Sequence, residues 1–149
     1  MIQRHFLQPQ AMFKRVVGGK HRYSSIVVAQ VPGAAFVYLS GQMARDPKTG
    51  LVVGKGDMRA QIIQTYENIR AGLDCVGATF GDVVRRMTFT TDIDEYYRQS
   101  NEVFERFFTA EPSTSTLLQV SRLGSPDMLV EVQVEAILEP ERLRIPTES

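Results

Sequence analysis

One cysteine, two histidines and no net charge are the first features of this 149-residue sequence, and each absence removes a class of chemistry. Cys75 alone can form neither an intramolecular disulfide nor a cysteine-based zinc cage within one chain. His5 and His21 leave little for a metal site or a serine–histidine relay. With 17 Lys+Arg against 17 Asp+Glu, the phosphate attraction behind most nucleic-acid binding has no global source, so nucleic acid is an unexpected partner. No run approaches the roughly 20 apolar residues of a membrane span, and the N-terminus lacks the charged-then-apolar order of a secretory signal. A cytoplasmic protein that does not engage membranes is the expectation. What remains is 43% apolar residues over a length that suits one domain with a real core.

Residues 1–22 mix apolar and basic side chains without a sustained period and read as an N-terminal extension, extended or partly mobile. A single domain is expected over 23–140, followed by a charged, poorly packed tail over 141–149. Within the domain, SIVVAQ and AAFVYLSG flank the turn Val31-Pro32-Gly33 as a hairpin, and Leu51–Val53 offers a third short strand after the turn cluster Arg45–Gly50. Asp57 caps a helix running to Val76, with Gly77 after its C-cap and Ile62, Tyr66, Ile69, Leu73 and Val76 on one face. A strand over VVRRMTFTT precedes a second helix, capped by Asp92 or Asp94 and ending near Phe108, with Tyr97, Phe104 and Phe107 or Phe108 as its apolar contacts. Two strands close the domain, Thr116–Leu123 and Met128–Leu138; in the second, Val130, Val132, Val134, Ala136 and Leu138 alternate with Glu131, Gln133 and Glu135. The order β-β-(β)-α-β-α-β-β describes an α+β domain in which two helices cover one face of a mixed sheet. The other face then needs an oligomeric partner, and acids at 131 and 135 predict a polar, cleft-bearing interface.

Few residues carry obvious chemistry, and no phosphate loop, zincin helix or nucleophile elbow is present. Cys75, with no histidine near it in sequence, reads as a small packed residue. Ser40-Gly41-Gln42 ends a strand, where Gly41 serves either a turn or the presentation of backbone N–H groups and the Ser40 hydroxyl to an anion. The tract Ser113–Thr116 either satisfies loop backbone or binds a ligand. Glu131 and Glu135 flanking Gln133 are either a solvated face or a pair fit for acid–base work. Arg85 and Arg86 fall on opposite sheet faces and form no patch.

Taken in order, Ser40-Gly41-Gln42, Asp46-Pro47-Lys48-Thr49-Gly50, Glu67-Asn68-Ile69 and Asn101-Glu102-Val103-Phe104 make the stretch from Tyr23 to Leu138 resemble the Rid family (YjgF/YER057c/UK114) of reactive enamine/imine deaminases. The resemblance implies a chorismate-mutase-like α+β fold of the bacillus type, assembled as a homotrimer with a ligand cleft at each subunit interface. Deaminating members hydrolyse enamines and imines such as 2-aminoacrylate to a keto acid and ammonia, without metal or other cofactor. In them an arginine of a Pro-Ala-Arg-Ser/Thr motif grips the substrate carboxylate. Ser115 stands at that position here, or Thr114 after a one-residue shift, so the resemblance implies a cleft without the usual charge and an altered ligand rather than the typical 2-aminoacrylate deaminase. Arg45 and Arg122 are the candidates for replacing it. Tyr23, Ser40, Gly41 and Asn101 match substrate-side positions, and the water-orienting glutamate falls on Glu131, or on Gln133 if the strand is aligned from Glu135. Two functions are thereby expected in competition: hydrolytic deamination of an imine, enamine or aminomuconate-type compound, or non-catalytic binding of a small metabolite or protein by the trimer. The ribonuclease or translation-inhibitor activity of some relatives is a third and weaker reading.

Overall fold

The computed structural model describes residues 1–147 and resolves the domain into a mixed sheet with two helices against one face. Its strands are β1 (Gln3–Leu7), β2 (Val16–Val17), β3 (Lys20–His21), β4 (Ile26–Val31), β5 (Ala34–Leu39), β6 (Gln42–Met43), β7 (Val83–Thr90), β8 (Thr114–Gln119) and β9 (Val130–Leu138). The helices are α1 (Met58–Cys75) and α2 (Ile93–Phe107). The main sheet runs β1-β4-β5-β9-β7-β8, with β6 also on β9 and β2-β3 as a separate ribbon. Every pairing in the main sheet is antiparallel except β7 with β8, the two strands joined through α2.

β9 organises the core. Val130, Val132, Val134, Ala136 and Leu138 are all buried toward the helices, while Glu131, Gln133 and Glu135 project to the open face. Each fully buried valine or leucine contributes roughly 1.5–3 kcal/mol. The expected α1 stripe is the buried one: Ile62, Tyr66, Ile69, Leu73 and Val76 are all at most 1% exposed. Asp57 caps α1, accepting from the Ala60 N–H at 3.0 Å, and Gly77 follows the C-cap at φ +79°, the left-handed conformation glycine adopts without strain.

Several local expectations are revised. Residues 3–7 are no loose lead-in: β1 pairs with β4 and buries Leu7, while Met12 also joins the core. Leu51–Val53 makes one bridge, Arg45 to Val52, instead of a strand. Asp92, not Asp94, caps α2, accepting from the Glu95 N–H at 3.0 Å. The inward tyrosine of α2 is Tyr96 at 7% exposure, and Tyr97 stands out at 58%. The tail is anchored as far as residue 144, because Arg142 forks onto both Asp82 oxygens at 2.7 Å and the Arg144 N–H reaches the Val76 carbonyl at 3.0 Å; Ser149 and its neighbour at 148 lie outside the described residues. The open sheet face is less polar than β9 alone suggested, since Phe36, Tyr38 and Ile137 share it with the acids.

Candidate functional site

Glu131 sits where two strand ends meet. Tyr38 pairs with Glu135 and Gln42 with Val132, so four residues on the β5–β6 side span three on β9. That extra residue is a bulge at Ser40-Gly41, a device that re-aims side chains beside a ladder. The Glu131 carboxylate packs onto the Gly41 Cα, and a Cβ there would collide with its Oε1. Gly41 is absent from the positive-φ glycines, so close approach rather than turn conformation is what requires it. Glu131 makes no ion pair and accepts no side-chain hydrogen bond among the described residues, and burial raises its pKa. Glu135 differs: Arg85 lies 3.7 Å from it.

Around this carboxylate the loops are tied down. The Ser40 hydroxyl is turned to the Ser25 carbonyl at 3.3 Å and receives Gln42 Nε2 at 3.3 Å, so it braces the bulge. Asn68 on α1 donates to the carbonyls of Met43 and Arg45 at 2.9 and 2.8 Å, a structural explanation for the Glu67-Asn68-Ile69 marker. A pocket of about 120 Å³ lies beside the bulge, lined by Tyr23, Gly41, Arg45 and Phe13 among others, with Glu131 next to its wall at Gly41 rather than in its lining. Burial raises the Tyr23 hydroxyl pKa against the opposing pull of Arg45 and Arg15, with Glu131 adding to the rise. Arg45 lies 5.0 Å over the Phe13 ring and donates to the Gly50 carbonyl at 2.8 Å.

The remaining expected residues lie on the opposite side of the sheet. Ser115 is the register partner of Arg86, whose other neighbour is the core residue Val134, so both face α2. Asn101, exposed on α2, lines the same pocket of about 240 Å³, together with Arg86, Thr88, Tyr97, Ser115 and Leu117. Thr114 points the other way, and its hydroxyl donates to the Val84 carbonyl at 3.0 Å. Within one chain, then, Tyr23, Ser40, Gly41 and Glu131 assemble, Asn101 and Ser115 assemble, and the sheet separates the two groups. Gln133 stays on the Glu131 face beside Met87.

Arg86 is the pocket residue that reading the sequence passed over. Its signal is parity: Arg86, Thr88 and Thr90 share the core-facing side of β7, and a charge on that side demands a reason. The bulge between Val83 and Arg85 hides it, because an unbroken alternation from the buried Val83 would send Arg85 inward instead. Cys75 behaves as a packed thiol, half-buried, with its pKa raised by burial and by Asp74. Among the described residues no three His, Cys, Asp or Glu side chains are grouped to hold a metal ion, and no helix is long and apolar enough to cross a membrane.

The sequence profile described as Endoribonuclease L-PSP matches residues 15–138. A RutC family protein of Saccharolobus solfataricus is 40% identical over 100 residues, which is 67% of this chain and 77% of that protein. The 2-iminobutanoate/2-iminopropanoate deaminase of Salmonella typhimurium is 34% identical over 106 residues, 69% of this chain and 78% of the enzyme. Among solved structures, Escherichia coli TdcF with bound serine superposes with a TM-score of 0.73 at 25% identity, covering 90% of this chain and 98% of TdcF. The α+β, chorismate-mutase-like fold expected from the sequence is the fold these likenesses share.

Proposed function

The chain belongs to the YjgF/RutC/Rid family, and from that premise we propose that it hydrolyses a small imine or enamine to a carbonyl compound and ammonia, in a cleft between the subunits of a homotrimer. The observation that carries this reading is Glu131, a desolvated carboxylate with no counter-ion, pressed against Gly41 on an open sheet face. Burial raises the Glu131 pKa above the ordinary carboxylate value, which favours its protonated form and suits it to giving and retaking a proton.

The chemistry follows from that property. An enamine first tautomerises to its imine. Glu131 in its protonated form gives a proton to the imine nitrogen; the resulting carboxylate then takes one from water as the water oxygen bonds to the imine carbon. Return of that proton to nitrogen breaks the carbon–nitrogen bond and releases ammonia, while the hydroxyl proton passes to the Glu131 carboxylate, leaving the carbonyl product and the acid in its starting protonated form. No step needs a group the chain lacks. Tyr23 and the Ser40-Gly41 bulge bound the ligand on the Glu131 side.

Assembly enters because Glu131 and the Asn101–Ser115 group point to opposite sides of one sheet. A single cleft containing both needs two copies of the chain, and the open face with Phe36, Tyr38 and Ile137 has the mixed character of a buried interface. The Salmonella relative is named as a deaminase of 2-imino acids, which supports this reaction class over the non-catalytic one. Ammonia release from imines generated in situ, 2-iminopropanoate and 2-aminomuconate-type compounds among them, tests it: turnover above buffer that vanishes in Glu131→Gln is expected, and none on any substrate with the oligomer intact overturns it. RNA cleavage is the weaker reading, favoured by the matching profile's description and opposed by the zero net charge; nuclease-free protein incubated with RNA tests it in parallel.

A further inference from the structure

Arg86 is a cation without an anion. Its guanidinium lies 4.5 Å from the Phe104 ring centre and 5.1 Å from that of Phe108. Its two polar contacts are neutral and long: Nη1 to the Tyr66 hydroxyl at 3.3 Å and Nη2 to Ser115 Oγ at 3.2 Å. Arg85, Arg98 and Arg142 each reach a carboxylate, whereas no acidic side chain among the described residues lies within salt-bridge distance of Arg86. Its Nε is buried with no partner, and so is the hydroxyl of Thr88, two residues along the same face of β7. Both residues line the pocket of about 240 Å³ between α2 and β8. A partly buried guanidinium supplied only with hydroxyls and aromatic faces is underpaired, since charge in a low-dielectric setting calls for a counter-charge.

We propose that Arg86 is this protein's carboxylate-binding residue, holding the carboxylate of a small 2-imino or 2-keto acid in the pocket beneath α2, with the Ser115 hydroxyl as a second contact. The planar fork suits a two-oxygen acceptor, and stacking on Phe104 holds its plane in place. Pocket volume admits a carboxylate with a few carbons, and Tyr97 and Leu117 offer apolar contact to its chain. Arg45 also has a buried Nε without a partner, but its Nη1 is held by the Gly50 carbonyl at 2.8 Å and it lines the pocket on the Gly41 side, away from Ser115. An uncharged residue at 115 therefore does not leave the cleft uncharged: the register partner one strand away carries the guanidinium. The choice of 2-imino and 2-keto acids rests on the deaminase reading; the anion site itself does not.

The purified oligomer titrated with pyruvate, and separately with its neutral counterpart pyruvamide, by ligand-detected NMR provides the test. Pyruvate is expected to bind at least about tenfold more tightly than pyruvamide, a preference lost in Arg86→Met. Equal binding of the two probes by the wild-type chain overturns the proposal, as does undiminished pyruvate binding in folded Arg86→Met. Should Arg86→Met not fold, the wild-type preference between the probes decides alone. Arg86-dependent pyruvate binding without any imine turnover leaves the anion site standing and removes the deaminase reading. Turnover of 2-iminopropanoate unaltered by Arg86→Met does the reverse.

Discussion

Arg86 and Ser115 are register partners on parallel strands, and Nη2 of the arginine donates to Oγ of the serine at 3.2 Å. Two adjacent positions thus share one task, one supplying charge and the other a hydroxyl. The pairing makes the location of the guanidinium exchangeable: Arg86→Thr with Ser115→Arg moves it one strand across. Pyruvate affinity in the double variant is expected within about threefold of wild type, with Arg86→Thr alone at least about tenfold weaker. Titration of the three proteins checks it, and a double variant as weak as the single would show that the position of the charge, not merely its presence, matters.

Glu131→Gln keeps the volume of the side chain and removes its proton chemistry. The turnover number on any imine that the wild-type protein hydrolyses is expected to fall at least about 100-fold, the usual scale of a positioned acid–base group. Steady-state ammonia release measures it, and KM should change little.

The same substitution has a thermal signature. Burial raises the Glu131 pKa, so between the unfolded and folded pKa values the native state binds more protons than the unfolded state, and stability falls as pH rises through that window. Glu131→Gln removes the penalty. Its melting temperature is expected above wild type at pH 8, with the difference shrinking toward pH 4.

Gly41→Ala tests the close approach. The backbone there tolerates a side chain, but the added Cβ meets the Glu131 carboxylate. Expected are a folded oligomer and a fall of about tenfold or more in kcat/KM, since a small displacement of a catalytic group costs rate more than stability.

Mixing tests the two-chain cleft. When Glu131→Gln and Arg86→Met protomers are unfolded together at equal amounts and refolded, a site built from two chains has both intact residues in about a quarter of cases by random pairing. Activity near a quarter of wild type is expected from two inactive parents, and no recovery would place both residues in one chain's site.

Arg142 anchors the tail. Burial pushes the Asp82 carboxyl up, but the Arg142 fork and the Thr79 N–H more than offset it and hold the carboxyl below the usual range. Stability from this contact is present above the unfolded pKa and lost as pH falls through the folded one. Asp82→Asn is expected to cost about 1 kcal/mol at pH 7, the exposed side of the pair limiting its worth, with faster hydrogen exchange over residues 140–144. Chemical denaturation and exchange mass spectrometry measure the two effects.

Much of this molecule is legible in its residues one at a time. The strict alternation of β9, the four-three spacing of Ile62, Tyr66, Ile69, Leu73 and Val76, and the cap at Asp57 encode their elements locally, because each is set by neighbours within a turn or a pleat. β1 is the counter-example: QRHFL has no strong period of its own and becomes a strand only because β4 offers it an unpaired edge. Asp92 over Asp94 is decided by where the first turn begins, and Tyr96 over Tyr97 by which way the helix faces the sheet, since candidates one or two residues apart compete for the same role.

Local residue order encodes the two-faced character of the strands, the amphipathic helices and the presence of an acid, an asparagine and hydroxyls at motif positions. Which of them meet depends on long-range pairing. One-residue bulges at Ser40-Gly41 and between Val83 and Arg85 break the period of two, and no local pattern announces them. They bring Glu131 onto Gly41, turn Arg86 toward α2 beside Ser115, and leave the two groups on opposite faces of one sheet. Alternation assigns a residue to a face; only long-range strand pairing says what stands opposite it.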